Sequence, residues 1–376
     1  MTTLRPLRLS LRQDIVRQFT PNWFAVTMGT GVLALALAQT PLRPLGQALW
    51  LVNILLFCVF SGLYAARWAL FPREARRIFE HPVMSMFFGC APMGLATIVN
   101  GFLIFGPDLV GPPAIAIAEA LWRIDVLLAI GCGLAIPLLM FTRQDHGIER
   151  MTAVWLLPIV PSEVAAASGG LLIPHLVDPA VRLDVLITSY VLWALSVPLA
   201  LSILTVLVLR MALHKLPEAG MAATSWLALG PIGTGALALL VLGEAAPAVL
   251  GQSGLAAYAD VFRGASLLAG LLLWGYGLWW LMMAALITVR QLRVGLPFNL
   301  GWWGYTFPLG VFTLATLKLA RLLPIPALTA AGQSLIAMLA VVWTIVAIRT
   351  IRGAWSGALF HAPCLTADRA VAVTRA

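Results

Sequence analysis

The chain has 376 residues, of which 61% are hydrophobic and only 10% charged, and its mean hydropathy is +0.95. A soluble domain carries about a quarter charged residues and could not hide this much apolar surface, so the composition excludes water as the main solvent and implies lipid. The net charge of +9 is spread between long apolar runs, where basic residues act as orientation markers, and no nucleic-acid-binding motif accompanies it.

The first segment, residues 1–19, carries Arg5, Arg8, Arg12 and Arg17. No small-x-small cleavage pattern follows a short apolar run, so the first run reads as a retained span and not a secretory signal. Ten apolar stretches follow, at 20–39, 47–70, 83–106, 121–141, 151–174, 183–211, 222–243, 259–288, 300–320 and 329–350. Each has about 20 residues or more, enough for the hydrocarbon core of a bilayer at 1.5 Å of rise per residue. Residues 20–350 thus form the expected transmembrane domain, and the more polar residues 351–376 are expected to be a loose tail. The predicted fold is an all-α integral membrane protein of ten transmembrane helices, paired as five helical hairpins.

Basic residues alternate from loop to loop. One set of loops holds Arg73, Arg76 and Arg77, then Arg143 and Arg150, Arg210 and Lys215, Arg290 and Arg293, with Arg349, Arg352, Arg369 and Arg375 after the last span. The other set holds mostly single residues: Arg43, Arg123, Arg182, Arg263 and Arg321. The positive-inside rule then places both termini in the cytoplasm of a multi-pass inner-membrane protein. RIDVL (123–127) and RLDVL (182–186) are similar, and Asp260 stands in a like place, so Asp125, Asp184 and Asp260 read as N-terminal helix caps. MGTGVLALAL (28–37) also resembles IGTGALALLV (232–241), in the first and seventh spans.

Helix breakers follow the same alternation. The odd spans hold Gly29 and Gly31; Gly89, Pro92 and Gly94; Pro158, Pro161, Gly169 and Gly170; Gly230, Pro231, Gly233 and Gly235; Pro308 and Gly310. The even spans are plainer, apart from Pro137, Pro198, Gly131 and Gly133. Plain helices suit lipid, whereas interrupted ones need neighbours or water for their freed backbone groups. The pattern predicts five kinked odd helices inside and five plain even helices outside, with a central pore lined by small side chains. Close helix packing is the competing reading of any single glycine.

Polar groups on the odd spans are mostly hydroxyls: Thr27, Thr30, Ser85, Thr97, Ser162, Ser168, Thr234, Thr306, Thr313 and Thr316. Thr306, Gly310 and Thr313 recur at i, i+4 and i+7, one helical face. Hydroxyls and exposed N–H groups can solvate an anion weakly enough to release it, although a threonine also bonds back to its own helix. Glu163 is the one carboxylate deep in an odd span; it reads either as a proton site or as a cap on the backbone broken at Pro161. Lys318 either snorkels to the outer headgroups or draws anions to the mouth. His81 reads as an interfacial helix start, with pH sensing the alternative, and Trp302, Trp303 and Tyr305 as an aromatic belt. Cys58, Cys90, Cys132 and Cys364 form no paired motif, and no cofactor or metal is expected.

Four stretches, PNWFAVTMGTG (21–31), HPVMSMFFGCAPMGLATIVNG (81–101), WLLPIVPSEVAAASGG (155–170) and GWWGYTFPLGVFTLATLKLA (301–320), resemble the tellurite-resistance/C4-dicarboxylate transporter family. That family includes the slow-type anion channels of plants, fungal malate permeases and sulfite efflux pumps. The resemblance implies five hairpins around a pore and a homotrimer with one pore per protomer. It also implies a gating phenylalanine on the ninth helix, which matches Phe307. The expected pathway is thus gated by Phe307 and lined by Thr27, Gly29, Gly31, Gly89, Pro92, Ser162, Glu163, Gly233, Thr234, Thr306, Pro308, Gly310, Thr313 and Lys318. The expected cargo is a small anion, a C4-dicarboxylate such as malate, or sulfite. A passive chloride or nitrate channel, a tellurite-resistance protein and a non-transporting membrane protein stay open as alternatives. An intramembrane enzyme is disfavoured, because the carboxylates are isolated and no histidine lies deep in a span.

Overall fold

The computed structural model describes residues 13–365, in which the chain is helical without a strand. Arg5, Arg8, Arg12, Arg369 and Arg375 lie outside the described residues. Ten main helices are present: α1 (Phe24–Leu37), α2 (Arg43–Leu70), α3 (Cys90–Ile104), α4 (Pro113–Thr142), α5 (Pro161–Leu172), α6 (Pro179–His214), α7 (Leu229–Gln252), α8 (Ala259–Val294), α9 (Phe307–Leu322) and α10 (Pro326–Trp355). Seven helical stretches among the described residues are long and apolar enough to cross a membrane, and Pro21–Leu37 is a shorter apolar one. The other two, α5 and α9, have 12 and 16 residues, short of the about 20 that a bilayer needs.

A tight 3₁₀ turn precedes every odd-numbered helix: Pro21–Trp23, Met84–Gly89, Ala153–Leu156, Ala219–Ala228 and Leu300–Tyr305. The prolines explain where each α-helix begins. Pro161 opens α5, Pro308 is the second residue of α9, and Pro92 and Pro231 are the third residues of α3 and α7. In a first turn the missing N–H breaks no helical bond and the fixed φ suits the helix. The interruption therefore lies on the N-terminal side of each proline, as a change of helical pitch, and not at a stranded carbonyl in mid-helix.

The even helices extend beyond their apolar windows. α4 begins at Pro113 and not near 121, α8 reaches Val294, and α10 reaches Trp355; polar or proline-bearing end turns are invisible to hydropathy. This extension overturns two of the three expected caps. Asp125 is fully buried well inside α4. Asp184 is likewise inside α6, whose true N-cap is Asp178, with its side chain accepting from the Ala180 N–H. Asp260 does lie in the first turn of α8.

The packing has two layers. The odd helices touch in a closed ring, α1 to α3 to α5 to α7 to α9 and back to α1. Each even helix straddles one seam: α2 lies on α1 and α3, α4 on α3 and α5, α6 on α5 and α7, α8 on α7 and α9, and α10 on α9 and α1. In the most apolar 18-residue stretch of each span, 72% of the residues are buried in the one within 84–104 and 89% in the one within 219–252, against 17–33% for the even helices. Apolar side chains such as Leu127, Leu134, Leu272 and Val341 stay exposed on the even helices, the surface that lipid covers.

Glycines close all five ring seams. A Cβ on Gly94 would meet Thr27 Oγ1 at 2.4 Å, one on Gly89 the Leu157 carbonyl oxygen at 1.8 Å, and one on Gly170 Val241 Cγ2 at 2.5 Å. Similarly, Gly233 abuts the Phe312 backbone nitrogen (2.8 Å) and Gly29 abuts Thr306 Oγ1 (2.1 Å). Helices in lipid gain little from the hydrophobic effect, so contact this close supplies the van der Waals attraction that holds the ring.

Two local expectations need correction. Trp303 and Tyr305 are buried, with Trp303 Nε1 donating to Thr350 Oγ1 at 3.0 Å. Only Trp302 keeps an interfacial setting, its ring under the Arg349 guanidinium at 4.9 Å. The segment after α10 is not loose as far as Leu365. It turns at Gly357 (φ 76°) and packs back, with Phe360 stacked on Trp23 at 5.0 Å and the Ala362 N–H donating to Gln18 Oε1 at 2.7 Å.

Candidate functional site

The 3₁₀ turns of the ring meet at the end that carries the arginine-rich loops. A cavity of about 460 Å³ opens there. All five turns contribute to its wall, through Asn22, Phe87, Val154, Thr224 and Gly301, and the segment after α10 borders it through Leu359 and His361. His81 stands at its edge. Its Nδ1 accepts from the N–H groups of Val83 and Met84, both at 3.2 Å, so it caps the turn before α3. Partial burial holds its pKa below the usual histidine value and keeps the ring neutral.

Phe307 is the first residue of α9 and is 3% exposed. Phe307, Val311, Leu314 and Lys318 recur at i, i+4, i+7 and i+11, one face of α9. The first three keep a small residual exposure, whereas Leu309, Phe312, Ala315, Thr313 and Thr316 have none. That face therefore borders a narrow unfilled space. No described aromatic ring packs on Phe307, whereas Phe312 stacks on Trp274 at 6.1 Å.

The expected pathway residues fall into several settings. Gly29, Gly31, Gly89, Gly233 and Gly310 lie at helix–helix contacts: Gly31 against Thr97 and Asn53, Gly310 against Val32, and the others at the seams described above. Pro92 and Pro308 are in first helical turns. Thr27, Thr306 and Thr313 are fully buried and donate to the carbonyls of Phe24, Trp303 and Leu309, three or four residues back in the chain. The Thr234 hydroxyl is buried without a partner among the described residues. Ser162 faces α4, its Oγ 3.9 Å from the position a Cβ on Gly133 would take.

Glu163 is fully buried in the first turn of α5, and neither carboxylate oxygen has a hydrogen-bond partner among the described residues. It therefore does not cap the backbone. Its Oε2 lies 3.4 Å from the Cβ position of Gly235, a position that also meets Val197 and Leu273. The carboxyl group thus points to the junction of α5 and α7 with the outer helices α6 and α8. Asp125 was missed as a second deeply buried carboxylate: both its oxygens are also unpartnered, and its only sequence signal is its distance from the true start of α4. Lys318 is paired with the carboxylate of Glu244 on α7, a partner 74 residues away that no local pattern marks.

A closed ring of interrupted helices, sleeved by lipid-facing helices and opening on a cavity at its basic end, defines a multi-pass membrane protein of the transport class. The chain belongs to the voltage-dependent anion channel family, whose profile matches residues 18–351. It is 33% identical over 353 residues to a sulfite efflux pump of Arthroderma benhamiae, covering 92% of this chain and 93% of the relative. It is 29% identical to a transporter of Methanocaldococcus jannaschii (93% and 98% covered). It is 22% identical to the malic acid transport protein of Schizosaccharomyces pombe (90% and 78% covered). The family is one of channels and transporters, and small anions are its cargo.

Proposed function

We propose that this chain moves a small anion, sulfite or a C4-dicarboxylate such as malate, across the inner membrane through the axis of the odd-helix ring. All ten helical segments span the bilayer as five hairpins, α5 and α9 together with the turns that lead into them, with segment 1–19, tail 351–376 and the 460 Å³ cavity on the cytoplasmic side. Three protomers assemble, each with its own path. The observation that carries this reading is the partly unfilled face of α9 that begins at Phe307. The ring of Phe307 plugs the axis, and the apolar walls admit an anion only when the ring moves aside. We put sulfite first among the cargoes; relatives named sulfite efflux pumps, at 33–34% identity over 93% of their length, support that choice.

Glu163 takes up and releases a proton during transport. Its buried position behind the ring wall, at the junction of α5 and α7 and near the Ser196 hydroxyl, keeps a charged form away from the cargo. The test is uptake of sulfite, malate, chloride, nitrate and tellurite by purified protein in liposomes at several pH values. Sulfite or malate should lead the series, and Glu163→Gln should abolish the pH dependence of uptake. Uptake of none of the five anions above protein-free liposomes contradicts the transport reading; a retained pH dependence contradicts the proton role alone.

A further inference from the structure

Lys318 ends the face of α9 that begins at Phe307. Leu237, Val241 and Glu244 are spaced at i, i+4 and i+7 on α7, the neighbouring ring helix. On this stretch of α7 Leu237, Leu239 and Val241 retain small exposures, whereas Ala236, Ala238 and Leu242 have none. Two adjacent faces of the ring therefore run toward the end opposite the basic loops, and each finishes on a charged side chain. The Lys318 ammonium and the Glu244 carboxylate meet across that seam.

The pair is asymmetric. The Lys318 side chain is 14% exposed and that of Glu244 56% exposed. Lys318 has Glu244 as its single ionic partner among the described residues, so the mostly buried cation depends on a carboxylate that is more than half exposed. Glu244 also borders a cavity of about 320 Å³ with Arg263, which has no ion-pair partner among the described residues. The cavity is lined by Glu244 and Arg263 and not by Lys318, so it is the carboxylate that has room to move off the lysine, toward a second cation. Stapling α7 to α9 is the competing role: loss of Glu244 would leave the mostly buried lysine unpaired, so stability has to be measured beside flux.

We propose that Glu244 is a built-in competitor for Lys318: its carboxylate occupies the lysine when no cargo is present, and an anion crossing the outer mouth must displace it. The arrangement lets Lys318 draw anions to the mouth without trapping them, since the carboxylate returns and releases the cargo. Conduction needs that balance of favourable but weak binding. The inference rests on the transport reading above.

The full-length protein in liposomes, with sulfite added on the side of Lys318, tests it through saturation curves. Glu244→Gln should lower the half-saturating sulfite concentration by about fivefold, as expected for removing a competing charge from a partly exposed site, and should lower the maximal rate. Lys318→Met should raise the half-saturating concentration. The double variant should behave as Lys318→Met, because the carboxylate acts only through the lysine. Glu244→Asp, which keeps the charge, should stay near wild type and guards against a folding defect, as do matched melting temperatures. An unchanged half-saturating concentration in Glu244→Gln, or a shift that persists in the Lys318→Met background, overturns the proposal while wild-type flux keeps the transport reading intact. Absence of wild-type flux for sulfite, malate and chloride overturns both.

Discussion

Replacing Phe307 by alanine raises anion flux per folded protein on the order of tenfold, although it weakens the fold. Two effects oppose each other. Truncating a buried phenylalanine in a packed core costs about 3–5 kcal/mol, because the lining side chains lose their contacts. That cost lowers the amount of folded protein, and it is the whole effect if the ring serves only as packing. Phe307 differs from such a ring in two respects. Its face of α9 retains exposure, and no described ring packs on it, unlike Phe312 on the same helix. Shortening it therefore widens the narrow space that Val311 and Leu314 continue. Tracer flux in liposomes, normalised to correctly folded protein, separates the two effects. Increased flux with a lowered melting temperature supports the plug; unchanged flux per folded molecule contradicts it. Phe312→Ala is the matched control, with a similar loss of stability and no gain in flux.

The second large effect is on assembly of the ring. Gly89→Ala is expected to destabilise the protein by about 3 kcal/mol or more, at the upper end for overpacking. The new methyl group would sit 1.8 Å from the Leu157 carbonyl oxygen and 2.6 Å from its carbon. These are backbone atoms in the turns leading into α3 and α5, so no side chain can rotate away, and the seam must open. Gly230→Ala provides the contrast: on α7 a Cβ at that position meets nothing within 4 Å, and alanine favours the helix. Melting curves in detergent should show a large drop for the first variant and little change or a small gain for the second. Equal behaviour of the two would mean that the seam tolerates separation.

The alternation of glycine and proline on odd segments with plain even segments was enough to predict which helices lie inside. That inference works because a lipid-facing helix has to satisfy its own backbone groups. The same residues did not reveal which way they face. Gly29, Gly233 and Gly310 can line an open axis or receive a neighbouring helix, and only the positions of Thr306, Phe312 and Val32 show the second arrangement. The threonine face at Thr306, Gly310 and Thr313 was likewise a correct helical face, but in the structure it meets α1 and carbonyls three or four residues back in the chain. The face with residual exposure is the one carrying Phe307, Val311 and Leu314, three apolar residues with no polar signature.

Long-range partners were the other blind spot. Lys318 stood out at once as an intramembrane charge, but nothing near it in the chain points to Glu244. Asp125 was hidden for a different reason. The first turns of α4 fall outside the apolar window, which made a residue deep in the helix resemble an N-cap. The family resemblance, and not periodicity, singled out Phe307.

The most direct test of an anion path along that face of α9 is block by a small charged thiol reagent. In a background with Cys58, Cys90, Cys132 and Cys364 replaced by alanine, single cysteines are placed at Val311, Leu314, Phe312 and Thr316 in the Phe307→Ala protein. Labelling at 311 and 314 should stop sulfite flux, whereas 312 and 316, packed toward α7 and α8, should stay unlabelled and conducting. Block at 312 and 316 with free flux at 311 and 314 would place the path elsewhere and contradict the account.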